Sequence, residues 1–283
     1  NMASLTQSNI TNHFEKQATS AQDFATSGLS EDRSFHYLVV ADTHGKKKFK
    51  NTYDHQLRNL FQKMDWKTIL QDTFFEHIQE EIKKIDTFRI GSTLSICKIF
   101  EDRFEIYWVG DSTIKIYNEE EIWRTKDHDI NNEEEKIRLN ELSTYIKQCD
   151  GIDVKVVDKD TIKQIKTPVF YFGDIYNPDT INMTHALGHS RYSGDFISHE
   201  TVLRNSDLSY KIVAGSDGFW QMTSKHDTPF IGSTENTSQQ LVGFADKRWQ
   251  QPWKFIALDE GTFEGIHFPS HNIDDIAVAC WNN

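Results

Sequence analysis

Apolar positions along the chain fall into short unbroken runs and helical stripes. Tyr37-Leu38-Val39-Val40-Ala41 is an unbroken run, as in a strand buried on both faces, and it stops at Asp42-Thr43-His44-Gly45. Tyr53, Leu57, Leu60, Phe61 and Met64 recur at helical spacing, and so do Trp66, Ile69, Leu70, Phe74, Ile78 and Ile82, which predicts two helices. Residues 93–100 and 104–109 read as a strand pair around the turn Glu101-Asp102-Arg103. Gly110-Asp111-Ser112 closes that pair, and residues 114–117 continue the meander. Residues 133–148 read as a charged surface helix, and 152–157 and 168–172 as further strands. Residues 210–214 form a short apolar strand ending at Gly215-Ser216-Asp217-Gly218, and residues 223–237 are loop-like. The last strand, 276–281, is entered through Asp274-Asp275.

Strands in runs with two helices together predict an α+β layered domain, and hairpin-length turns make its sheets largely antiparallel. Residues 1–20 are rich in Ser, Thr, Asn and Gln and read as a polar arm with one short strand at most; 21–283 read as one domain, with no internal repeat and no Pro-rich linker.

Composition narrows the partners. A net charge of −12 argues against nucleic acid, whose backbone would be repelled. No apolar run approaches a membrane span, so no membrane partner is expected. Three cysteines, Cys97, Cys149 and Cys280, match no zinc spacing and give no disulfide framework, which points to a reducing, cytoplasmic setting.

Four aspartates sit at the ends of apolar strands: Asp42, Asp111, Asp217 and Asp274. One such residue is ordinarily a turn former. Four of them, gathered by antiparallel neighbours at one sheet edge, would repel one another unless cations intervene. An all-oxygen set suits Mg²⁺, Mn²⁺ or Ca²⁺ rather than zinc.

The motifs carrying these residues resemble those of the type-2C (PPM) metal-dependent Ser/Thr protein phosphatases, in the family's order. Asp42-Thr43-His44-Gly45 is similar to the start of Asp-Gly-His-Gly-Gly, whose closing glycine falls at Lys46, and Gly91-Ser92-Thr93 to Gly-Ser/Thr-Thr. Gly110-Asp111-Ser112 is similar to Gly-Asp-Ser-Arg, and Thr125-Lys126-Asp127-His128 to Thr-x-Asp-His. Thr184-His185-Ala186-Leu187-Gly188 is similar to Thr/Ser-Arg-Ala-Leu-Gly. Ser216-Asp217-Gly218-Phe219-Trp220 and Asp274-Asp275-Ile276-Ala277-Val278 complete the series.

The resemblance implies an α-β-β-α sandwich of two mainly antiparallel sheets flanked by helices, acting as a monomer on phosphoproteins with two Mn²⁺ or Mg²⁺ ions. Asp42 would bridge the metals, the Thr43 carbonyl would bind the second, and Asp217 and Asp274 would hold the first. Glu31, in Glu31-Asp32, would bind through water; Asp111 would serve a third ion; His44 would be the general acid. Departures from the pattern are Lys46 for the second glycine of the first motif, Thr113 and His185 for arginines, Gln221 for an aspartate, and Ser27 for a phosphate-gripping arginine about four residues before the acidic pair. The basic run Lys46-Lys47-Lys48 with Lys50 follows His44, and Lys46 and Lys47 are candidates for attracting phosphate in that arginine's stead. Two rival readings are a binding module without turnover and a phosphatase of non-protein phosphoesters.

Overall fold

A computed structural model describes residues 9–142, 147–172 and 179–283. The strands are β1 (Ile10–Lys16), β2 (Asp23–Leu29), β3 (His36–His44), β4 (Gly91–Ser92), β5 (Leu94–Ile99), β6 (Arg103–Val109), β7 (Ile114–Asn118) and β8 (Glu120–Arg124). They continue with β9 (Lys147–Val156), β10 (Thr161–Phe172), β11 (Asp179–Ile181), β12 (Leu187–Gly188), β13 (Ser198–Leu203), β14 (Lys211–Gly215), β15 (Trp253–Ile256), β16 (Thr262–Ile266) and β17 (Ile276–Asn282). The α-helices are α1 (Gln56–Lys63), α2 (Trp66–Ile69), α3 (Phe74–Ile82), α4 (Glu133–Asn140), α5 (Asp217–Trp220), α6 (Thr228–Ile231) and α7 (Ser238–Gln250).

Two antiparallel sheets form the centre, one ordered β1-β17-β14-β7-β8 and the other β12-β4-β3-β5-β6-β13, with β2 also on β3. Strand alternation sorts side chains into layers. Leu38 and Val40 point between the sheets and meet Ile212, Ala214, Ala277, Ala279 and Trp281. Tyr37, Val39 and Ala41 point the other way, onto Leu57, Phe61, Trp66, Leu70 and Ile78 of the α1–α3 layer. Val213, Val278 and Cys280 face Leu241, Val242, Ala245 and Trp249 of α7. Continuous apolar runs are thus explained by burial on both faces, in the expected α-β-β-α order.

Some details differ from expectation. A third sheet, β11-β10-β15-β16 with β9 on β10, joins the α7 layer through Val156, Ile162 and Trp253, and its β10–β15 pairing is parallel. The second predicted helix is broken into α2 and α3, which restarts at Phe74 after Thr73. The helix expected over 133–148 ends at Asn140; residues 143–146 lie outside the described residues and Gln148 belongs to β9. Within the polar stretch 1–20, whose first eight residues are likewise outside, β1 runs alongside β17 from Ile10↔Asn282 to Lys16↔Ile276. Among the described residues no helix is long and apolar enough to cross a membrane.

Candidate metal centre and active site

Antiparallel pairing gathers the strand ends. Gly215 of β14 lies opposite Val278 of β17, and Ala214 opposite Ile114 of β7, so Asp217, Asp274 and Asp111 come to one edge of the sandwich. Asp42 reaches the same edge from β3. The amide of Asp42 donates to Thr93 Oγ1 at 2.9 Å, and Thr93 Oγ1 lies 2.6 Å from Ser112 Oγ, which ties the loop of Asp111 to β3. Gly218 is forced by packing, because a Cβ there would run into the carbonyl oxygen of Asp275.

The four aspartates line one cleft of ≈1060 Å³ together with Thr43, His44, Lys46, Lys47 and His189. Burial, then the negative charges of Asp23, Asp217 and Asp274, push the Asp42 carboxyl well above the usual range. Asp111 moves the same way through burial and then Asp217. Asp274 is pushed up to about 9 by burial, then by Asp217, Asp23 and Asp275. Among the described residues no three His, Cys, Asp or Glu side chains already converge closely enough to hold an ion, so the carboxylates are neighbours rather than a closed cage.

Glu31 is not part of this group. The β2–β3 register sets Asp23, not Glu31, opposite Asp42. Glu31-Asp32-Arg33 forms the hairpin turn at the far end of those strands, about 20 Å away at ~3.3 Å per residue. Glu31 is exposed and pairs with Lys67 at 3.3 Å, while Asp32 Oδ1 accepts the Ser34 amide at 3.0 Å. Asp23 is fully buried, both its carboxylate oxygens lack a hydrogen-bond partner, and burial raises its pKa far above the usual value. Ser27, in turn, lies mid-β2 with its Oγ 2.8 Å from His13 Nδ1. The Ala18 amide donates to Asp275 Oδ1 at 2.5 Å.

Gln22 has a positioning role. Its amide donates to Asp275 Oδ2 at 3.0 Å, and its carbonyl accepts from Thr43 Oγ1 at 2.7 Å. Its Nε2 donates to the carbonyls of Gly45 at 3.1 Å and Asp54 at 2.9 Å. This chain of bonds runs from β17 through Gln22 to both sides of His44. The Nδ1 of His44 faces the Asp42 carbonyl at 3.2 Å; a carbonyl only accepts, so Nδ1 carries a proton and Nε2 is left to exchange one. His44 stacks on His189 (centroids 4.5 Å, 25°), which stacks on Tyr192 (5.3 Å, 19°). Burial lowers the His44 pKa and, with the neighbouring His44 and Arg191, pushes that of His189 down to about 2. Sequence inspection passes over His189 as an isolated loop histidine; its one signal is adjacency to Ala186-Leu187-Gly188.

His128 and His185 are buried too, in a second polar cluster. His128 Nδ1 accepts from the Gly110 amide at 2.9 Å and its Nε2 meets Ser198 Oγ at 2.8 Å. His185 Nε2 donates to the Phe196 carbonyl at 2.7 Å, and its ring stacks on Phe196 at 4.0 Å. Thr113 Oγ1 donates to Asp127 at 2.6 Å, a structural turn. Gln221 caps the C-terminus of α5, half-buried.

A family model described as Protein phosphatase 2C matches residues 2–245. The chain belongs to the protein phosphatase 2C family. Its fold is similar to that of a serine-threonine phosphatase 2C from Toxoplasma gondii (TM-score 0.61, 12% identity, covering 97% of this chain and 95% of that one). It is also similar to the S. agalactiae serine/threonine phosphatase (TM-score 0.53, 17% identity, 96% and 98%) and to a C. elegans sex determining protein (TM-score 0.58, 13% identity, 98% of this chain). The chain spans 65% of the length of that C. elegans protein. No curated protein sequence matches the chain. Membership of the protein phosphatase 2C family supports a phosphatase activity.

Proposed function

We propose that the protein is a divalent-metal-dependent protein serine/threonine phosphatase acting on phosphomonoesters in the cleft above the aspartate edge. The supporting observation is the gathering of buried, mutually repelling carboxylates at one edge, with Asp217 Oδ1 and both Asp23 oxygens unpartnered. Such a set is costly as bare charge and fits hard cations, which take oxygen donors. Asp42, Asp217, Asp274 and the Thr43 carbonyl would hold two Mn²⁺ or Mg²⁺ ions, with Asp111 placed for a third. When bound, such ions lower the pKa of a water toward neutrality and offset charge on the phosphoryl oxygens.

The chain's own groups do the rest. Asp23, behind Asp42 in the β2–β3 register, sets the charge and orientation of that carboxylate. Gln22 and Asp275 hold the Thr43–Gly45 segment against the edge. His44, its Nδ1–H held by the Asp42 carbonyl, would take a second proton at Nε2 from solvent, and the imidazolium would pass that proton to the departing Ser or Thr alkoxide and return to the neutral ring. His189, stacked on the ring, keeps its plane facing the cleft. Lys46 and Lys47 line the cleft beside it and attract the phosphate. The three cysteines are free, in keeping with a reducing compartment.

Hydrolysis of p-nitrophenyl phosphate with Mn²⁺, with and without chelator, tests this reading. Chelator-sensitive turnover is expected. Folded protein that binds Mn²⁺ yet turns nothing over would instead support the binding-module reading.

A further inference from the structure

Charge is segregated in the cleft. Its acidic lining residues are the four strand-end aspartates, whereas Lys46, Lys47, Lys50 and Arg89 line it from exposed positions. These cations share one wall. Lys46 bridges to Tyr53, and the Lys47 amide donates to the Thr52 carbonyl at 2.8 Å, closing a small hairpin directly after Gly45. Arg89 adjoins the base of that hairpin, since its carbonyl lies 2.7 Å from where a Gly45 Cβ would be. Among the described residues none of the four has a carboxylate partner; Lys46 Nζ donates to Asn51 Oδ1 at 2.8 Å. At the hairpin tip Phe49 is 95% exposed with φ +63°. Lys48 Nζ lies over its ring at 5.3 Å, and a bulky residue resists the left-handed region, so the backbone here presents the ring to solvent at a conformational cost.

We propose that this wall reads the sequence around the phosphorylated residue, and that the substrate is a phosphorylated segment with acidic flanking residues and an apolar residue that contacts Phe49. The inference rests on the phosphatase reading and supplies its substrate class. A body of net charge −12 repels an acidic segment on balance, so a local cationic wall orients its approach as well as binding it. The wall begins at Gly45, and an extended segment advances about 3.3 Å per residue, so the flanks that matter lie within about three positions of the phosphoresidue.

Three phosphopeptides, identical except for acidic, neutral or basic flanks, test the wall by fluorescence anisotropy and by turnover with Mn²⁺. The acidic peptide should bind about tenfold tighter than the neutral one, the size expected of several partly screened charge pairs. That ratio should shrink as salt rises, since screening shortens to about 3 Å at 1 M. Arg89→Ala and the double change Lys47→Ala/Lys50→Ala should bring the ratio close to one, with circular dichroism confirming folded protein. Phe49→Ser should weaken only peptides carrying the apolar residue. Equal binding of all three peptides, or folded variants with an unchanged ratio, would overturn the proposal. So would Phe49-dependent sedimentation with phosphatidylserine–phosphatidylcholine vesicles alongside a peptide ratio of one. Selective binding without turnover would uphold the wall and sink the phosphatase reading; turnover without selectivity would do the reverse.

Discussion

Two buried polar clusters adjoin each other at Gly110-Asp111 and follow opposite rules. In the first, Glu135 accepts from Arg138 Nε at 2.7 Å and Thr184 Oγ1 at 2.7 Å, while Arg138 Nη1 donates to the Tyr192 carbonyl at 2.8 Å. Burial opposes ionisation of Glu135, but the bonds from Arg138 and Thr184 outweigh it and hold the carboxyl below its usual range. His128 and His185 use both ring nitrogens in that cluster. In the second, Asp23, Asp42, Asp111 and Asp274 are all pushed up, first by burial and then by other aspartates. Unpartnered carboxylate oxygens remain there on Asp23 and Asp217. A satisfied network fastens the Thr184–Ser198 segment to α4 and is structural. An unsatisfied set of like charges is kept in spite of its cost, as the proposed cation site requires.

The contrast predicts opposite signs for equivalent changes. The largest effect is on turnover: Asp42→Asn or Asp217→Asn should lower metal-dependent hydrolysis by at least about 100-fold, the loss that changes beyond the ligands themselves can cause. In chelator the same variants should melt higher than the parent, because a repelled charge is gone. His44→Gln should cost about 10²- to 10⁴-fold in kcat on a phosphoserine peptide. Its effect on p-nitrophenyl phosphate should be much smaller, since that leaving group needs little protonation. Glu135→Ala should show the reverse of the aspartate changes, destabilising by about 3 kcal/mol in denaturant melts because the half-buried Arg138 guanidinium and the buried Thr184 hydroxyl lose the carboxylate they share.

The histidines sharpen the contrast through pH. Burial pushes His128 and His185 down to about 4 in the folded chain, below an unfolded value near 6.5. The unfolded state therefore binds more protons between those values, so stability falls as pH drops from 6.5 toward 4. The raised aspartates act with the opposite sign in the same range, so the loss is read as the difference between acid melts of the parent and of His185→Gln, which should diverge by on the order of a few kcal/mol between pH 6.5 and 4. The smallest effect is expected of Glu31→Gln, which should leave metal-dependent turnover within about twofold, a change too small for any ligand or outer-sphere role. Asp23→Asn should lower it markedly.

What was readable from the chain follows from how each element is buried. β3, β14 and β17 lie at the centre of the sandwich, so their apolar runs announce both the strands and the aspartates that end them. The strand β2, Asp23-Phe24-Ala25-Thr26-Ser27-Gly28-Leu29, has no such run and covers one side of β3. Its register was therefore hidden, and Asp23 with it. The β10–β15 pairing joins Thr161 to Lys254 across the intervening chain, and no local pattern encodes a contact of that length. Helix α7 did carry a signal, the capping box Thr237–Gln240, ahead of Leu241, Val242, Ala245 and Trp249. Buried histidines such as His189 leave no periodic trace, because stacking on another ring depends on loops meeting in space.

If the aspartate edge is a cation site, thermal melting reads it without reference to catalysis. At about 100 times the dissociation constant, Mn²⁺ should stabilise the parent by about 2.7 kcal/mol per site. That corresponds to a rise of about 5–10 °C in Tm, reversed by chelator. Asp217→Asn should melt above the parent in chelator and gain little from Mn²⁺. Identical melting of parent and variant, with and without Mn²⁺, would contradict the account.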